Sequence, residues 1–248
     1  MNNSICRSLN KKKSEIDSDI QFYDIATKND QWVIKEIFPN KRKGFFIECG
    51  AHKGKNASSC YSLEKYFDWK GVCIEAAPIH LNDLKRNRSN LVLNVLLSDK
   101  KQSDHLFAYF KNIEWRSMAV RDKVEFDTMI KGFDAEYHND ATSPERKKIL
   151  EKLLSHSELL KVKSFTLQEI LEKHNSPKII DYLSMDIEGF EYNVLKNFPF
   201  EKYTILAISI EGNRCTELLK SKGYSLVKNS YNVDNDYEKY YLHEKYYL

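Results

Sequence analysis

Carboxylates recur wherever a short apolar run of this chain ends. Glu48 follows GFFI, Glu75 follows GVCI, Asp99 follows NVLLS, Asp186 and Glu188 follow IIDYLSM, and Glu211 follows TILAISI. Acids that converge on one crevice repel one another and raise each other's pKa unless a cation or hydroxyl donors compensate. Such a crevice suits a ligand that is positively charged and rich in hydroxyls. Glycines accompany the acids: of the 8 in the chain, Gly50, Gly54, Gly71, Gly189 and Gly212 flank the same runs, leaving backbone room where a ligand would approach. Histidine bases are less well placed. His52 falls in the loop after the first run, while His105, His138 and His156 fall in a stretch of mixed pattern and read as solvated surface.

In open α/β sheets, ligands bind beyond the carboxyl ends of the strands, where the strand order reverses. The chain has the alternation that such a sheet requires. GFFIECG, bounded by glycines, reads as a first strand buried on both faces. NASSCYSLEKYF then suits a helix, Trp69-Lys70-Gly71 a turn, VCIE a second strand, residues 78–87 a helix and residues 90–97 a third strand. After an interruption, Thr166 and Glu169 have the T-x-x-E spacing of a capping box, opening a helix that reaches His174. IIDYLSMDIE is the fourth strand, and the helix from Gly189 carries Phe190, Val194, Leu195 and Phe198 on one face. TILAISIEG is the fifth strand, and the helix from Cys215 to Lys222 is closed by Gly223. YSLV is a further strand, and the Tyr-rich tail NDYEKYYLHEKYYL supplies a closing one. Ahead of the sheet, residues 20–38 carry an apolar pattern suited to one or two helices, broken near Lys28-Asn29-Asp30 and stopped by Pro39.

Residues 1–19 are polar and include Lys11-Lys12-Lys13, so they read as a loose arm ahead of a single domain over residues 20–248. Residues 100–163 lose the strand–helix rhythm. Their hairpin-like HLFAYFKNIEW and charged, helix-compatible SPERKKILEKLLSHSELL read as an insertion after the third strand, of a length that commonly serves as a lid over an acceptor. Ser117 falls where that lid would form an acceptor wall. The 248 residues are 42% hydrophobic, enough for a folded core. Their 39 basic and 36 acidic residues leave +3, far from the field of a dedicated nucleic-acid binder. No run approaches the ~18 apolar residues of a membrane span, and MNNSICRSLNKKK has no apolar stretch suited to a secretory signal, so a cytoplasmic location is expected. The five cysteines form no CxxC pair, and Cys49 and Cys73 sit inside apolar runs as small hydrophobes.

A dinucleotide would need G-x-G-x-x-G after the first strand, because three glycines let a pyrophosphate meet a helix N-terminus. The chain instead has Gly50-x-x-x-Gly54, with His52 where a middle glycine would stand, so an NAD-dependent oxidoreductase is the weakest reading. Glu75, ending the second strand, can accept both hydroxyls of a ribose. An adenosyl group bearing a positive sulfonium fits these acids better than one bearing phosphates.

The segments GFFIECGAHKG, SLEKYFDWKGVCIEAAP, NVLLSD, SFTLQEILEKH and DYLSMDIEGFEYNVLKNF, taken in order, resemble the FkbM family of S-adenosylmethionine-dependent methyltransferases over about residues 29–228. The resemblance implies a Rossmann-like class I methyltransferase fold, α/β, with helices on both faces of a seven-stranded, mostly parallel sheet whose last strand runs antiparallel. It implies that Glu48, Gly50, Ala51, His52 and Gly54 hold the methionine part of the cofactor and that Glu75 binds its ribose. On the same resemblance Ala76 lines the adenine pocket, Ser98 and Asp99 sit beside the base, and Asp186, with Glu188 next to it, faces the reacting end. The acceptor it implies is a hydroxyl of a sugar, polyketide or other small molecule or glycan. The chain departs from the family pattern in carrying Glu48 for Asp, Glu75-Ala76-Ala77-Pro78 for Glu-Pro-Asn-Pro, and Leu96 for a small residue.

Methyl transfer to oxygen is an in-line displacement that needs alignment, exclusion of water and a base for the acceptor's proton. Asp186 is the first candidate for that base. Asp186, Glu211 and Asn213 also offer the hard oxygen ligands that Mg²⁺ prefers, which would give a metal-assisted route. Two other functions stay open: a catalytically silent S-adenosylmethionine-binding module, and an RNA or RNA-cap methyltransferase supported only by the basic runs Lys11 to Lys13 and Lys41 to Lys43.

Overall fold

The structure, a computed structural model, describes residues 19–112, 114, 117–129, 156–229 and 237–247. Nearly all of the expected N-terminal arm, Cys6, His138 and most of the charged segment SPERKKILEKLLSHSELL lie outside the described residues. In chain order the strands are β1 (Phe45–Cys49), β2 (Lys70–Glu75), β3 (Leu91–Asn94), β4 (Leu96–Leu97), β5 (Gln102–Phe110) and β6 (Met118–Val120). They continue as β7 (Ser157–Phe165), β8 (Ile179–Met185), β9 (Thr204–Glu211), β10 (Tyr224–Asn229) and β11 (Glu238–His243).

Seven of these strands form one sheet in the order β10-β11-β9-β8-β1-β2-β3. β11 runs antiparallel to β9 and β10, and the other pairs are parallel, so the expected sheet is present with its last strand reversed. The chain steps outward from β1 through β2 to β3, then returns to add β8 and β9 on the other side of β1. The switch point therefore lies between β1 and β8. Helices cover both faces because the strands are apolar on both. Phe46 of β1 packs with Trp32, Leu63 and Trp69, while Ile47 and Cys49 pack with Leu171, Leu195 and Leu219 on the opposite side. The capping box forms as read: Thr166 Oγ1 accepts from Glu169 N at 3.1 Å and Glu169 Oε2 accepts from Thr166 N at 3.0 Å.

Three local expectations are corrected. Residues 20–28 are not helical. The Asp24 carboxylate accepts from Thr27 N and Asn29 N, a turn that competes with a helix, and helical structure begins only with Asn29–Trp32 and the π-helical Val33–Ile37. The third strand, read as continuous over residues 90–97, is divided. Asn94 Nδ2 donates to the carbonyls of Glu75 and Ala76, and after Val95 the chain leaves the main sheet to pair as β4 with β7. Residues 157–160, read within a helix-compatible segment, belong to β7.

The second sheet has the order β4-β7-β5-β6. β5 and β6 form an antiparallel hairpin, of which β5 overlaps the HLFAYFKNIEW read as hairpin-like while β6 lies beyond it, and β7 pairs antiparallel with β5, Phe107 opposite Leu160. Pairing along the apolar LFAYF of β5 overrides the charged pattern around Ser157, because strand preference is decided by neighbours more than by sequence. His105, expected on the surface, is buried between these strands with Nδ1 3.3 Å from Ser164 Oγ, and His156 is exposed. Among the described residues, no helix is long and apolar enough to cross a membrane.

Candidate active site

A cavity of about 380 Å³ opens at the switch point, lined from the main sheet by Gly50, His52, Ile74, Glu75 and Asp186, and from the second sheet by Leu96, Phe107 and Ala119. Its shape depends on one close approach. Asp186 N donates to Cys49 O at 3.1 Å, and a Cβ on Gly50, which has φ +82°, would stand 1.9 Å from Asp186 O. No other residue fits there, since a side chain would push β1 and β8 apart at the cavity floor. Gly54 (φ +78°) acts one step further out, where a Cβ would meet Leu84 at 2.4 Å, so it seats the loop on the helix Leu81–Asn87.

Glu75 is buried, and each oxygen already accepts one backbone N–H: His52 N to Oε2 and Ala77 N to Oε1, both at 2.7 Å. Burial pushes this carboxyl up, against the lowering effect of those donors. A carboxylate oxygen has a second acceptor direction, so the pair can still receive two hydroxyls. Ala76 lines the cavity beside it. Asp186 is reached by solvent through the cavity yet is recessed among other acids. Its desolvated position first, then the charges of Glu211 and Glu191, push its carboxyl up to about 7. Ile187 and Glu188 complete that wall, and Glu188 holds a left-handed φ of +57°. The turn is fixed by the buried Glu191, whose Oε1 accepts from Ile187 N and Gly189 N, each at 3.1 Å. Asp186, Glu188 and Glu211 bring carboxylate oxygens within 4.8 Å of one another.

Of the residues singled out from sequence, the structure gathers Gly50, His52, Glu75, Ala76, Asp186, Glu188 and the wall residue Ser117 around the cavity. Ala51 is buried beneath the loop, its N–H and that of Gly50 both donating to Ile74 O. Glu48 does not line the cavity. Its carboxylate is buried in an ion pair with Arg88 and accepts from Ser58 Oγ at 2.6 Å. Ser98 and Asp99 lie outside the lining too, with Asp99 paired to Lys196 at 2.8 Å and its carboxyl lowered by that hydrogen bond. Leu96 and Leu97 take the adjacent wall instead.

The sequence reading missed His80, Glu114 and Glu191. His80 stands five residues beyond Glu75, so following the chain further past each strand end would have found it. Glu191 follows Gly189 in the helix-starting stretch, but nothing in its type distinguishes it from a solvated acid. Glu114 lies in the insertion, where no periodic signal exists.

A seven-stranded, mostly parallel sheet with a glycine-dependent switch point defines an α/β protein of the Rossmann-like class I methyltransferase type. The family model described as Methyltransferase FkbM domain matches residues 48–225, and the chain belongs to that family. Membership implies S-adenosylmethionine as the methyl donor, and the cavity suits it: hydroxyl acceptors at Glu75, apolar walls for a base, and acids for a positive sulfur. Among solved structures, the chain is similar to a methyltransferase FkbM from Methylobacillus flagellatus KT, at 12% identity and TM-score 0.46, covering 82% of this chain and 44% of that one. The chain thus spans less than half the length of that protein. It is also similar to precorrin-6y C5,15-methyltransferase from Geobacter metallireducens GS-15, at 8% identity and TM-score 0.41, covering 92% and 93% of the two chains. A third likeness is to the Methanococcus jannaschii fibrillarin pre-rRNA processing protein, at 14% identity and TM-score 0.39, covering 94% and 86%. No curated protein matched the chain.

Proposed function

We propose that this chain transfers a methyl group from S-adenosylmethionine to a hydroxyl of a small-molecule or glycan acceptor. The observation that carries this reading is the switch-point cavity, which brings Glu75, apolar walls and the Asp186 carboxyl, pushed up to about 7, around one space. A general base works best when its pKa lies near the operating pH, and an ordinary Asp, near 3.9, would be too weak. Bound at the site, the cofactor supplies an electrophilic methyl on a positive sulfur. Asp186 takes the acceptor's hydroxyl proton as that oxygen attacks in line, and Glu188 and Glu211 keep the local potential negative.

The remaining residues position and exclude. Glu75, held by the N–H groups of His52 and Ala77, receives the ribose hydroxyls. Gly50 and the His52 loop admit the methionine end. Ile74, Val95, Leu96 and Leu97, with Ala76, form the slot for the base. Ala51, Gly54 and Glu48 support the loop from behind, and Ser98 with Asp99 anchors the chain to Lys196 at the rim. The second sheet serves as the lid, placing Phe107, Ser117 and Ala119 toward the acceptor. Residues 20–248 act as a single unit on this reading. Of the hard-oxygen set Asp186, Glu211 and Asn213, the two acids converge with Glu188, and the reading includes no Mg²⁺ step.

The test is incubation of purified protein with methyl-labelled S-adenosylmethionine and fractionated extracts. Label on a hydroxyl of a small molecule or glycan, lost in Asp186→Asn, is the expected result. Label confined to RNA would replace the acceptor class, and cofactor binding with no labelled product would make the chain a binding module.

A further inference from the structure

Three side chains that the transfer reaction leaves unused meet at one edge of the cavity. His52 comes from the loop after β1, His80 from the 3₁₀ turn Pro78–His80 after β2, and Glu114 from the connection between β5 and β6. The imidazole rings lie 4.0 Å apart by their centroids. His52 Nε2 is 3.3 Å and His80 Nε2 3.8 Å from the same Glu114 oxygen, and the three ligand atoms lie within 4.8 Å of one another. A tetrahedral ion with bonds of about 2.0–2.2 Å holds its ligand atoms about 3.3–3.6 Å apart, so small side-chain movements close the set around one ion.

A second observation points to a missing ligand. His80 is 1% exposed, lines the cavity, and neither of its ring nitrogens has a hydrogen-bond partner among the described residues. Buried imidazole nitrogens are ordinarily satisfied. We propose that His52, His80 and Glu114 form a site for a divalent transition-metal ion of the zinc type, with an open coordination position facing the cavity. Two imidazole nitrogens and one carboxylate oxygen suit Zn²⁺ and its neighbours, whereas Mg²⁺ prefers an all-oxygen set. Three protein ligands with one open position is the arrangement of catalytic zinc sites. The ion would also tie the second sheet to both loops that contact Glu75.

Lys53 opposes the ion. Its Nζ lies 2.9 Å from the Glu114 oxygen that faces both histidines, and its side chain is 45% exposed, free to swing away on metal binding. The charge balance gives the site a signature: removing Lys53 strengthens it, while removing a ligand weakens it.

The experiment titrates the chelator-stripped 248-residue chain with Zn²⁺ against a chromophoric chelator, with no cofactor and no methyl transfer involved. One ion per chain is expected. His80→Gln and Glu114→Gln should each weaken it at least about tenfold, with far-UV circular dichroism establishing that each variant is folded. Lys53→Met should tighten binding, and Glu211→Gln should leave it unchanged. Absence of stoichiometric uptake by the wild type, undiminished affinity in folded Glu114→Gln, or loss of the ion in Glu211→Gln would each overturn the proposal. None of these results depends on the methyltransferase reading, so the two fail separately.

Discussion

Asp186 is open to solvent through the cavity, yet its desolvated carboxyl, with the charges of Glu211 and Glu191 nearby, rises to about 7. Below that pH it is protonated and neutral; above it, it is ionised and attracts a positive sulfur. Affinity for S-adenosylmethionine should therefore rise between about pH 6 and pH 8 and then level off. S-adenosylhomocysteine, which lacks the positive charge, should change much less. Calorimetry with both compounds at pH 6, 7 and 8 checks this, and equal pH profiles would remove Asp186 from the sulfur's neighbourhood. At this scale the sequence was informative wherever a residue immediately follows a strand, which is how Gly50, His52, Glu75 and Asp186 were found. It was uninformative about side-chain direction. Glu48 sits at such a strand end too, but strand alternation turns it to the face where Arg88 waits. Glu114 becomes visible only when the second sheet folds over the first.

Between elements, the loop at the cavity floor rests on a buried charge cluster. Arg88, directly after the helix Leu81–Asn87, has no exposed side-chain surface and pairs with Glu48 of β1 and, at 2.7 Å, with Glu64 of the helix Tyr61–Phe67. Burial works against the Arg88 charge, and the two carboxylates more than restore it. Removing one partner of a buried pair strands the other, which typically costs about 3–5 kcal/mol. Glu48→Ala should lower unfolding stability by about that amount in urea titrations. Unchanged stability together with lost cofactor affinity would make Glu48 a ligand-binding residue instead. Strands and helices of the main sheet were legible because their apolar runs and capping signals are local. The division of the third strand and the pairing of β4 with β7 were not, since the first depends on Asn94 reaching the carbonyls of Glu75 and Ala76 and the second on a partner some seventy residues away.

Over the whole molecule, buried acids bind their protons more tightly than free carboxyls do. Burial first, then Asp186, pushes Glu238 up to about 8, and burial pushes Asp30 up to about 6. An unfolded chain releases those protons near the reference values of about 4, so the native state binds more protons than the unfolded one across the interval between. Stability of the ligand-free protein should consequently fall as pH rises from about 4 to about 8. Thermal melts at pH 6 and pH 8.5 test this, with the drop expected to shrink in Glu238→Gln. Equal melting temperatures in wild type would contradict it. The overall architecture was the most legible feature of all, because alternating buried runs and helices admit few topologies. The second sheet was the exception.

The central claim is that the switch-point cavity binds S-adenosylmethionine through Glu75, and isothermal calorimetry with wild type and Glu75→Ala addresses it directly. One molecule should bind per chain, with a loss of about 1.5–3 kcal/mol in the variant, the usual worth of a charge-assisted hydrogen bond. No uptake by folded wild type, or identical affinity in both proteins, would contradict the account.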